Sequence, residues 1–268
     1  MTGSAMPQTA VTTTWMLPTL SLWQREVVRF VRQRSRVVGA LGTPVVFWVL
    51  IGSGLRNSFK ESAGSSVDYL EYAFPGTIAL IVLFTAIFSM ISVIEDRREG
   101  FMQAVLVAPV GRSAIVMGKV LGSSTLALMQ AMVFLCLAPV SGIGLTLESV
   151  LAMVGVVVIV SVGLSGLGLV IAWPMDSTQG FHAVMNLVLM PMWLLSGAFF
   201  PVAGASRWIG LVMAVNPLTY GVSALRHALY LGTGRVETSP SWSVSIGVSI
   251  AFALVMMVLS VAVVTKRR

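Results

Sequence analysis

The segment from Glu95 to Arg112 reads EDRREGFMQAVLVAPVGR and is the longest polar interruption between two long apolar runs. It opens with an unbroken run of charged residues, Glu95 to Glu99, which is followed by Gly100. A short amphipathic stretch then runs to Pro109 and Gly111. Because most of the chain is apolar, this segment is predicted to be the surface that the protein offers to a soluble partner. The alternative is a solvated loop that only fixes the topology.

The composition indicates an integral membrane protein. Of the 268 residues, 56% are hydrophobic and 10% are charged, and the mean hydropathy is +0.91. Soluble domains carry about 25% charged residues. The formal net charge of +7 is attributed to the bias of Lys and Arg toward the cytoplasmic side of a membrane protein. It does not indicate a nucleic acid partner.

The apolar runs predict an all-α, polytopic fold with six transmembrane helices, each about 20 residues long. A disordered cytoplasmic tail is expected over 1–16 and a single transmembrane domain over 17–268. The predicted spans are 37–55, 73–94, 114–140, 150–173, 181–200 and 243–264.

An amphipathic helix is predicted over 17–36, before the first span. Its apolar residues recur at helical spacing on one side and its arginines on another, which is typical of a helix lying in the membrane interface. A solvated helix is the alternative. The apolar stripe consists of Leu20, Trp23, Val27 and Phe30.

The region 201–231 is apolar, but Asn216-Pro217 interrupts it in the middle. Two short re-entrant helices on the extracellular side are therefore predicted instead of a seventh span. With six spans, one side of the membrane holds 12 of the 17 basic residues. This bias predicts that both termini are cytoplasmic. The basic residues of the other side are Arg56, Lys60, Arg207, Arg226 and Arg235.

The third span carries a pair of glycines, Gly118 and Gly122, at the spacing that allows two membrane helices to pack closely. Chance in a glycine-rich chain is the alternative. Lys119 lies between them and is expected to snorkel to the cytoplasmic interface.

No catalytic constellation is visible in the sequence. His182 and His227 lie at opposite predicted span edges, so neither has a partner at metal-ligand spacing. The stretch from Gly111 to Lys119 lacks the spacing of a phosphate-binding loop. None of the predicted spans has an Asp or Glu in its interior, which argues against coupling to protons or sodium. A transporter of this composition needs energy from another subunit.

Three stretches resemble the membrane subunit of ATP-binding-cassette exporters of the type 2 family, which includes drug-resistance and polysaccharide exporters. The first runs from Leu22 to Gly52 and is similar to the interfacial connecting helix and first span. The second, Glu95 to Gly122, resembles the coupling helix and the entry to the third span. The third combines LLSGAFFPVAG with NPLTYGVSALRHALYLG and resembles the extracellular re-entrant region. Phe101 departs from the threonine that many members have after the glycine.

This resemblance implies a permease without its own ATPase site, and hence no cofactor in this chain. ATP and Mg would bind to a pair of cytoplasmic ATPase subunits. A second permease, itself or a sister chain, and membrane lipid would be the other partners, in a bacterial-type inner membrane. The expected ATPase-coupling residues are Arg25, Glu26, Arg29, Glu95, Asp96, Arg97, Arg98, Glu99 and Gly100.

The resemblance also implies an outer gate in the re-entrant region. Its expected residues are Pro201, Asn216, Pro217, Tyr220 and Arg226. The implied function is ATP-driven export of a lipophilic small molecule or drug. The alternatives are export of a lipid-linked glycan or polysaccharide by the same architecture, and a membrane scaffold that does not transport.

Overall fold

A computed structural model describes residues 15–54, 69–108, 110–199, 206–232 and 240–266, without the side chains of 34–37 and 51. Several sequence predictions lie outside these residues. They concern the tail over 1–14, the outer-gate residue Pro201, the end of the first span at Leu55 and the end of the fifth at Phe200. The basic residues Arg56, Lys60, Arg235, Arg267 and Arg268 are also outside the description.

The described residues are helical and contain no strand, which confirms the all-α prediction. The helices are α1 (Met16–Arg32), α2 (Arg34–Gly54), α3 (Tyr69–Phe88), α4 (Ile91–Arg98), α5 (Phe101–Val107), α6 (Arg112–Leu135), α7 (Leu147–Ala172), α8 (Thr178–Trp193), α9 (Arg207–Val215), α10 (Pro217–Leu229) and α11 (Trp242–Lys266). A 3₁₀ turn, Ala138–Ser141, follows α6, and a π-helical turn, Leu194–Ala198, follows α8.

Five helical segments in the described residues are long and apolar enough to cross a membrane, or six if the bent pair α9–α10 is one span. The five are Tyr69–Arg98, Arg112–Leu135, Leu147–Ala172, Thr178–Ala198 and Trp242–Lys266. The apolar part of α2, Val38–Gly54, is shorter. This count agrees with a polytopic membrane protein.

The bundle is built around α3, whose residues from Phe74 to Leu83 are all buried. Helices α2, α6 and α7 pack against it. A cluster of aromatic rings joins α2, α3 and α6. Trp48 of α2 and Phe134 of α6 both contact Phe74 of α3, with ring centroids 5.6 and 4.8 Å from its centroid. In contrast, α11 exposes a row of large apolar side chains, among them Leu254 and Val258.

The break between α9 and α10 is confirmed. The two helices meet at 82°, and Asn216 between them has extended backbone angles. Proline favours the first turn of a helix because it has no N–H to donate there, so Pro217 begins α10.

Several helix ends differ from the predicted bounds, most clearly those of the amphipathic helix and of the third span. The amphipathic helix does not run from Leu17 to Arg36, since it begins at Met16 and is broken at Gln33. The chain changes partner at this point, because α1 packs on α6 and α2 packs on α3. The third span ends as an α-helix at Leu135 and not at Val140. Pro139 and Gly142, which has φ 81°, hold a 3₁₀ turn there.

Candidate functional site

Asp96 lies at the centre of a buried charged cluster that joins three helices. Its side chain has no exposed surface. Arg25 donates two hydrogen bonds to its carboxylate, Arg29 donates one at 3.0 Å, and Lys119 donates another. Charged side chains are almost never fully buried unless they are paired. We call this cluster the Asp96 network; its members are Arg25, Glu26, Arg29, Ser92, Glu95, Asp96 and Lys119.

Lys119 does not snorkel to the interface, contrary to the sequence prediction. Only 1% of the residue is exposed. Its ammonium group donates to Glu26 at 2.6 Å, to Ser92 Oγ at 3.0 Å and to Asp96. An ammonium group has three donors, so the pocket satisfies all of them. These three hydrogen bonds fix the side chain inside the protein.

The charges of the Asp96 network balance. Arg25, Arg29 and Lys119 supply the cations, and Glu26, Glu95 and Asp96 supply the carboxylates; Arg29 binds Glu95 at 2.8 Å. Hydrogen bonding to Asp96 raises the pKa of Arg25 above its ordinary value. Such a set, drawn from α1, α4 and α6, holds the three helices as one unit.

Phe101, the residue that departs from the family pattern, extends this connection to α5. The Arg25 guanidinium lies over its ring, 3.7 Å from the centroid. A guanidinium over an aromatic face is attracted by the ring's quadrupole. Arg25 therefore contacts both the last turn of α4 and the first residue of α5. Gly100, with φ 79°, allows the tight turn between these two helices.

Helix α1 lies along α6, and Gly118 and Gly122 face it directly. A Cβ at Gly118 would lie 2.7 Å from Leu22 Cβ, and one at Gly122 would lie 2.7 Å from Glu26 Cβ. The stripe of α1 that is buried here consists of Thr19, Leu22, Glu26 and Phe30. This differs from the predicted apolar stripe, since Leu20 is 56% exposed. The close approach to Gly118 and Gly122 and the pairing of Glu26 with Lys119 decide which face of α1 packs on α6.

Arg97 and Arg98 do not join the Asp96 network; Arg97 binds the end of α7, and Arg98 binds the turn that follows it. Arg97 donates to the carbonyl of Trp173, and its guanidinium lies 5.2 Å from the Trp173 ring centroid. Arg98 donates to the carbonyl of Asp176 at 3.0 Å. The last carbonyls of a helix have no partner within it, so Arg97 satisfies the polar end of α7, and Arg98 fixes the turn between α7 and α8.

Arg112 makes a similar contact at the last turn of α11, where it donates to the carbonyl of Val264 at 2.8 Å. The beginning of α6 and the ends of α4, α7 and α11 therefore lie at one end of the bundle, which we call the Asp96 end.

The surface that the Glu95–Arg112 segment exposes is smaller than the sequence suggests. Asp96 and Met102 are buried. Val107 is 88% exposed and Leu106 is 42% exposed at the end of α5. Glu99 and Gln103 are exposed beside them. Glu99 lies 3.8 Å from Arg29. The free surface is thus the outer side of α5, with an apolar tip and a polar edge.

Asn216 lies at the opposite end of the bundle and binds the π-helical turn. Its amide nitrogen donates to the carbonyls of Met192 and Leu195 at 2.6 and 3.0 Å. Its amide oxygen accepts from the N–H of Leu218 at 3.0 Å and so caps α10. One side chain therefore fixes the break between α9 and α10 and its position against the end of α8.

Two other predicted outer-gate residues also hold this region together. Arg226 donates to the carbonyl of Gly197 at 3.3 Å and lies over the ring of Tyr72, 4.4 Å from its centroid. Gly197 has φ 79°, a conformation that favours glycine. Tyr220 donates to the carbonyl of Ala214 at 2.9 Å and so connects α10 to α9.

Sequence reasoning did not single out Lys119, Ser92 or Trp173 as parts of a site. A signal was available for Lys119, because a lysine between two packing glycines in an apolar run needs a buried partner. Glu26 is the acid at the matching position of α1. The sequence holds no comparable signal for Trp173, since the hydrogen bond from Arg97 Nη2 goes to its backbone carbonyl, which every residue has.

A model of the ABC-2 type transporter family matches residues 19–230. The chain is 25% identical over 251 residues to Nodulation protein J of Rhizobium leguminosarum bv. viciae, covering 92% of this chain and 94% of that protein. It is 21% identical over 240 residues to Putative transport permease ycf38 of Cyanophora paradoxa, covering 87% and 83%.

A third similar protein is Probable multidrug ABC transporter permease YbhR of Escherichia coli (strain K12). The chain is 26% identical to it over 162 residues, which are 58% of this chain and 42% of that protein. The family match spans most of the chain and includes the Asp96 network, α5 and the break at Asn216. The chain therefore belongs to the ABC-2 type transporter family and is a multi-pass membrane permease.

Proposed function

We propose that this permease exports a lipophilic small molecule, driven by a separate pair of ATPase subunits that dock on α5. The observation that carries the proposal is the Asp96 network. It connects the exposed α5 to α1 and α6, so a displacement of α5 moves both helices. In this proposal ATP and Mg bind to the partner subunits and this chain supplies the membrane path.

The tip of α5 has the chemistry of a docking surface. Leu106 and Val107 expose apolar area, and the charged and amide groups of Glu99 and Gln103 border it. Interfaces between proteins combine an apolar core with a polar rim. The arginine contacts to the ends of α7 and α11 then pass the displacement to two further helices.

The orientation in the membrane is proposed from the distribution of charge. The Asp96 end carries the larger share of basic residues and is proposed to be cytoplasmic, in a bacterial-type inner membrane. The cluster of Asn216, Tyr220 and Arg226 is then extracellular and forms the outer gate. A second copy of the permease would complete the pathway between two bundles.

The proposed substrate class rests on two observations. One similar protein is named a probable multidrug permease. The outer connection that the structure describes in full, between α6 and α7, is too short to form a separate carbohydrate-binding module.

Docking on α5 is tested with a pair of valine variants. Val107→Asp places a charge at the exposed tip of α5, and Val140→Asp places the same charge at the other end of the bundle, where Val140 is 76% exposed. Each tagged variant is purified in mild detergent, and the ATPase that co-purifies is quantified. We expect Val107→Asp to lose most of the ATPase and Val140→Asp to retain it. Equal retention by both variants would contradict the docking proposal.

Transport is tested by reconstituting the co-purified complex into vesicles. ATP-dependent movement of a lipophilic fluorescent dye is expected, and it should be absent with Val107→Asp. Hydrolysis of ATP that is stimulated by a lipid-linked glycan but by no dye would overturn the small-molecule substrate in favour of the glycan. A complex without ATP hydrolysis would favour the scaffold.

A further inference from the structure

An apolar cavity of about 370 Å³ lies where α1, α2 and α6 meet. Its lining includes Phe30 of α1, Val38 and Leu41 of α2, and Met129, Gln130 and Val133 of α6. The volume is within the range of small-molecule pockets. Val38 is 69% exposed and Val133 is 58% exposed, so the cavity opens sideways, toward the surface that lipid would cover.

Gln130 is the polar exception in this lining. Only 3% of the residue is exposed. Its Oε1 accepts a hydrogen bond from Thr85 at 2.9 Å. Its Nε2 is buried and has no hydrogen-bond partner within the described part of the chain. A buried polar group without a partner costs about 1–3 kcal/mol, so this amide is poised to bind something that enters the cavity.

Water does not meet this need. A buried water molecule requires two to four polar partners, and the rest of the lining is apolar. A ligand with a long apolar body and one hydrogen-bond acceptor fits both features. The acyl chain and ester carbonyl of a phospholipid have this combination, and the opening faces the bilayer.

The charges near the opening indicate the headgroup. Arg32 lies in the last turn of α1 and is next in the sequence to the lining residue Val31; the other arginine of this turn, Arg29, is bound to Asp96 and Glu95. Arg32 is exposed, and Arg34 and Arg36 follow in the sequence. Basic clusters next to membrane helices attract anionic headgroups.

We propose that this cavity binds one anionic phospholipid, whose acyl chain lies between α2 and α6. Its ester carbonyl accepts a hydrogen bond from Gln130 Nε2, and its phosphate lies toward Arg32 in the last turn of α1. The lipid thereby supports the end of α1 that follows the Asp96 network in the chain.

The test uses photo-crosslinking of the purified permease in phosphatidylcholine vesicles. A small fraction of phosphatidylglycerol carries a diazirine in its acyl chain, and the labelled peptides are identified by mass spectrometry. We expect saturable labelling concentrated on α2 and α6 at the cavity. Labelling spread over α2, α8 and α11 in proportion to their exposure would overturn the proposal.

Two variants and a matched control sharpen this test. Val133→Trp fills the cavity and should remove the concentrated labelling, whereas Val258→Trp, on the exposed face of α11, should leave it unchanged. Equal loss of labelling in Val133→Trp and Val258→Trp would overturn the proposed site. Gln130→Leu should weaken saturable labelling about fivefold, the value of one hydrogen bond, and labelling that is unaffected would overturn the role of the amide. Equal labelling by a phosphatidylcholine probe would overturn the anionic headgroup.

Discussion

Lys119 and Glu26 form an ion pair in which both groups are almost completely buried. Removing one partner of such a pair leaves an unpaired charge in the protein and typically costs about 3–5 kcal/mol, whereas replacing both is much less harmful. The contribution of the pair is therefore measured by the difference between single and double variants.

Lys119→Met and Glu26→Gln should each lower the temperature of unfolding, measured by tryptophan fluorescence in detergent. The double variant should lose less stability than the sum of the two single losses, with a coupling energy of about 0.5–3 kcal/mol. Lys266→Met is the control, because Lys266 is exposed at the end of α11. Strictly additive losses would show that the two side chains do not interact.

Asn216→Ala should also destabilise the protein, because the carbonyls of Met192 and Leu195 lose their donor and α10 loses its cap. Loss of a cap alone costs about 1 kcal/mol. Asn186→Ala is the matched control, since Asn186 is exposed on α8. The temperature of unfolding should fall only for Asn216→Ala, while the amount of co-purified ATPase should not change. Release of the ATPase by this variant would contradict its place at the outer gate.

The sequence made some of these residues predictable and others not. Asn216-Pro217 stands out because proline ends an apolar run at a helix boundary. The burial of Asp96 could not be predicted, because its neighbours Glu95, Arg97 and Arg98 are equally charged and the choice among them depends on the helix that packs behind each one. The composition alone also could not show that Lys119 is held inside the bundle.

The packing of α1 on α6 depends on two glycines of one helix face. Gly118→Ala should push α1 away, because its Cβ would lie 2.7 Å from Leu22 Cβ and 3.0 Å from the carbonyl oxygen of Thr19. We expect a lower unfolding temperature and weaker ATP-dependent transport.

Gly155→Ala is the control for Gly118→Ala, since a Cβ on Gly155 of α7 would meet nothing within 4 Å. Alanine favours a helix over glycine by about 1 kcal/mol, so this variant should be neutral or slightly more stable. A loss of stability equal to that of Gly118→Ala would show that close packing is not the cause.

Helix positions follow from the apolar runs, but helix ends follow from local chemistry and from the packing partner. The beginning of α7 is set by Thr146, whose side chain accepts from the N–H of Ser149 at 3.1 Å. Such a cap can be recognised in the sequence. The break at Gln33 cannot be recognised in the sequence, because the residues around it continue a helical pattern. It is the packing that separates the two helices, since α1 packs on α6 and α2 packs on α3.

At the scale of the whole molecule, α1 and the last turn of α11 both lie at the Asp96 end of the bundle. Replacing Cys136, which is exposed, with Ser gives a background without cysteine. Gln103→Cys and Leu147→Cys then place a thiol at each end. In intact cells, a membrane-impermeant maleimide should label Leu147→Cys only, and after permeabilisation it should label both. Labelling of Gln103→Cys in intact cells would reverse the proposed orientation.

The contact between Arg112 and the carbonyl of Val264 joins residues that are 152 positions apart in the chain. A ribosome adds about 5–20 residues per second, and domains fold from the N-terminus. Arg112 of α6 is therefore synthesised well before the carbonyl of Val264, and this hydrogen bond can form only after α11 has been made. The Asp96 end is therefore completed only after α11 has been synthesised. A chain that lacks α11 would present α5 and α6 without this support, and a quality-control protease could distinguish it from a chain that contains α11.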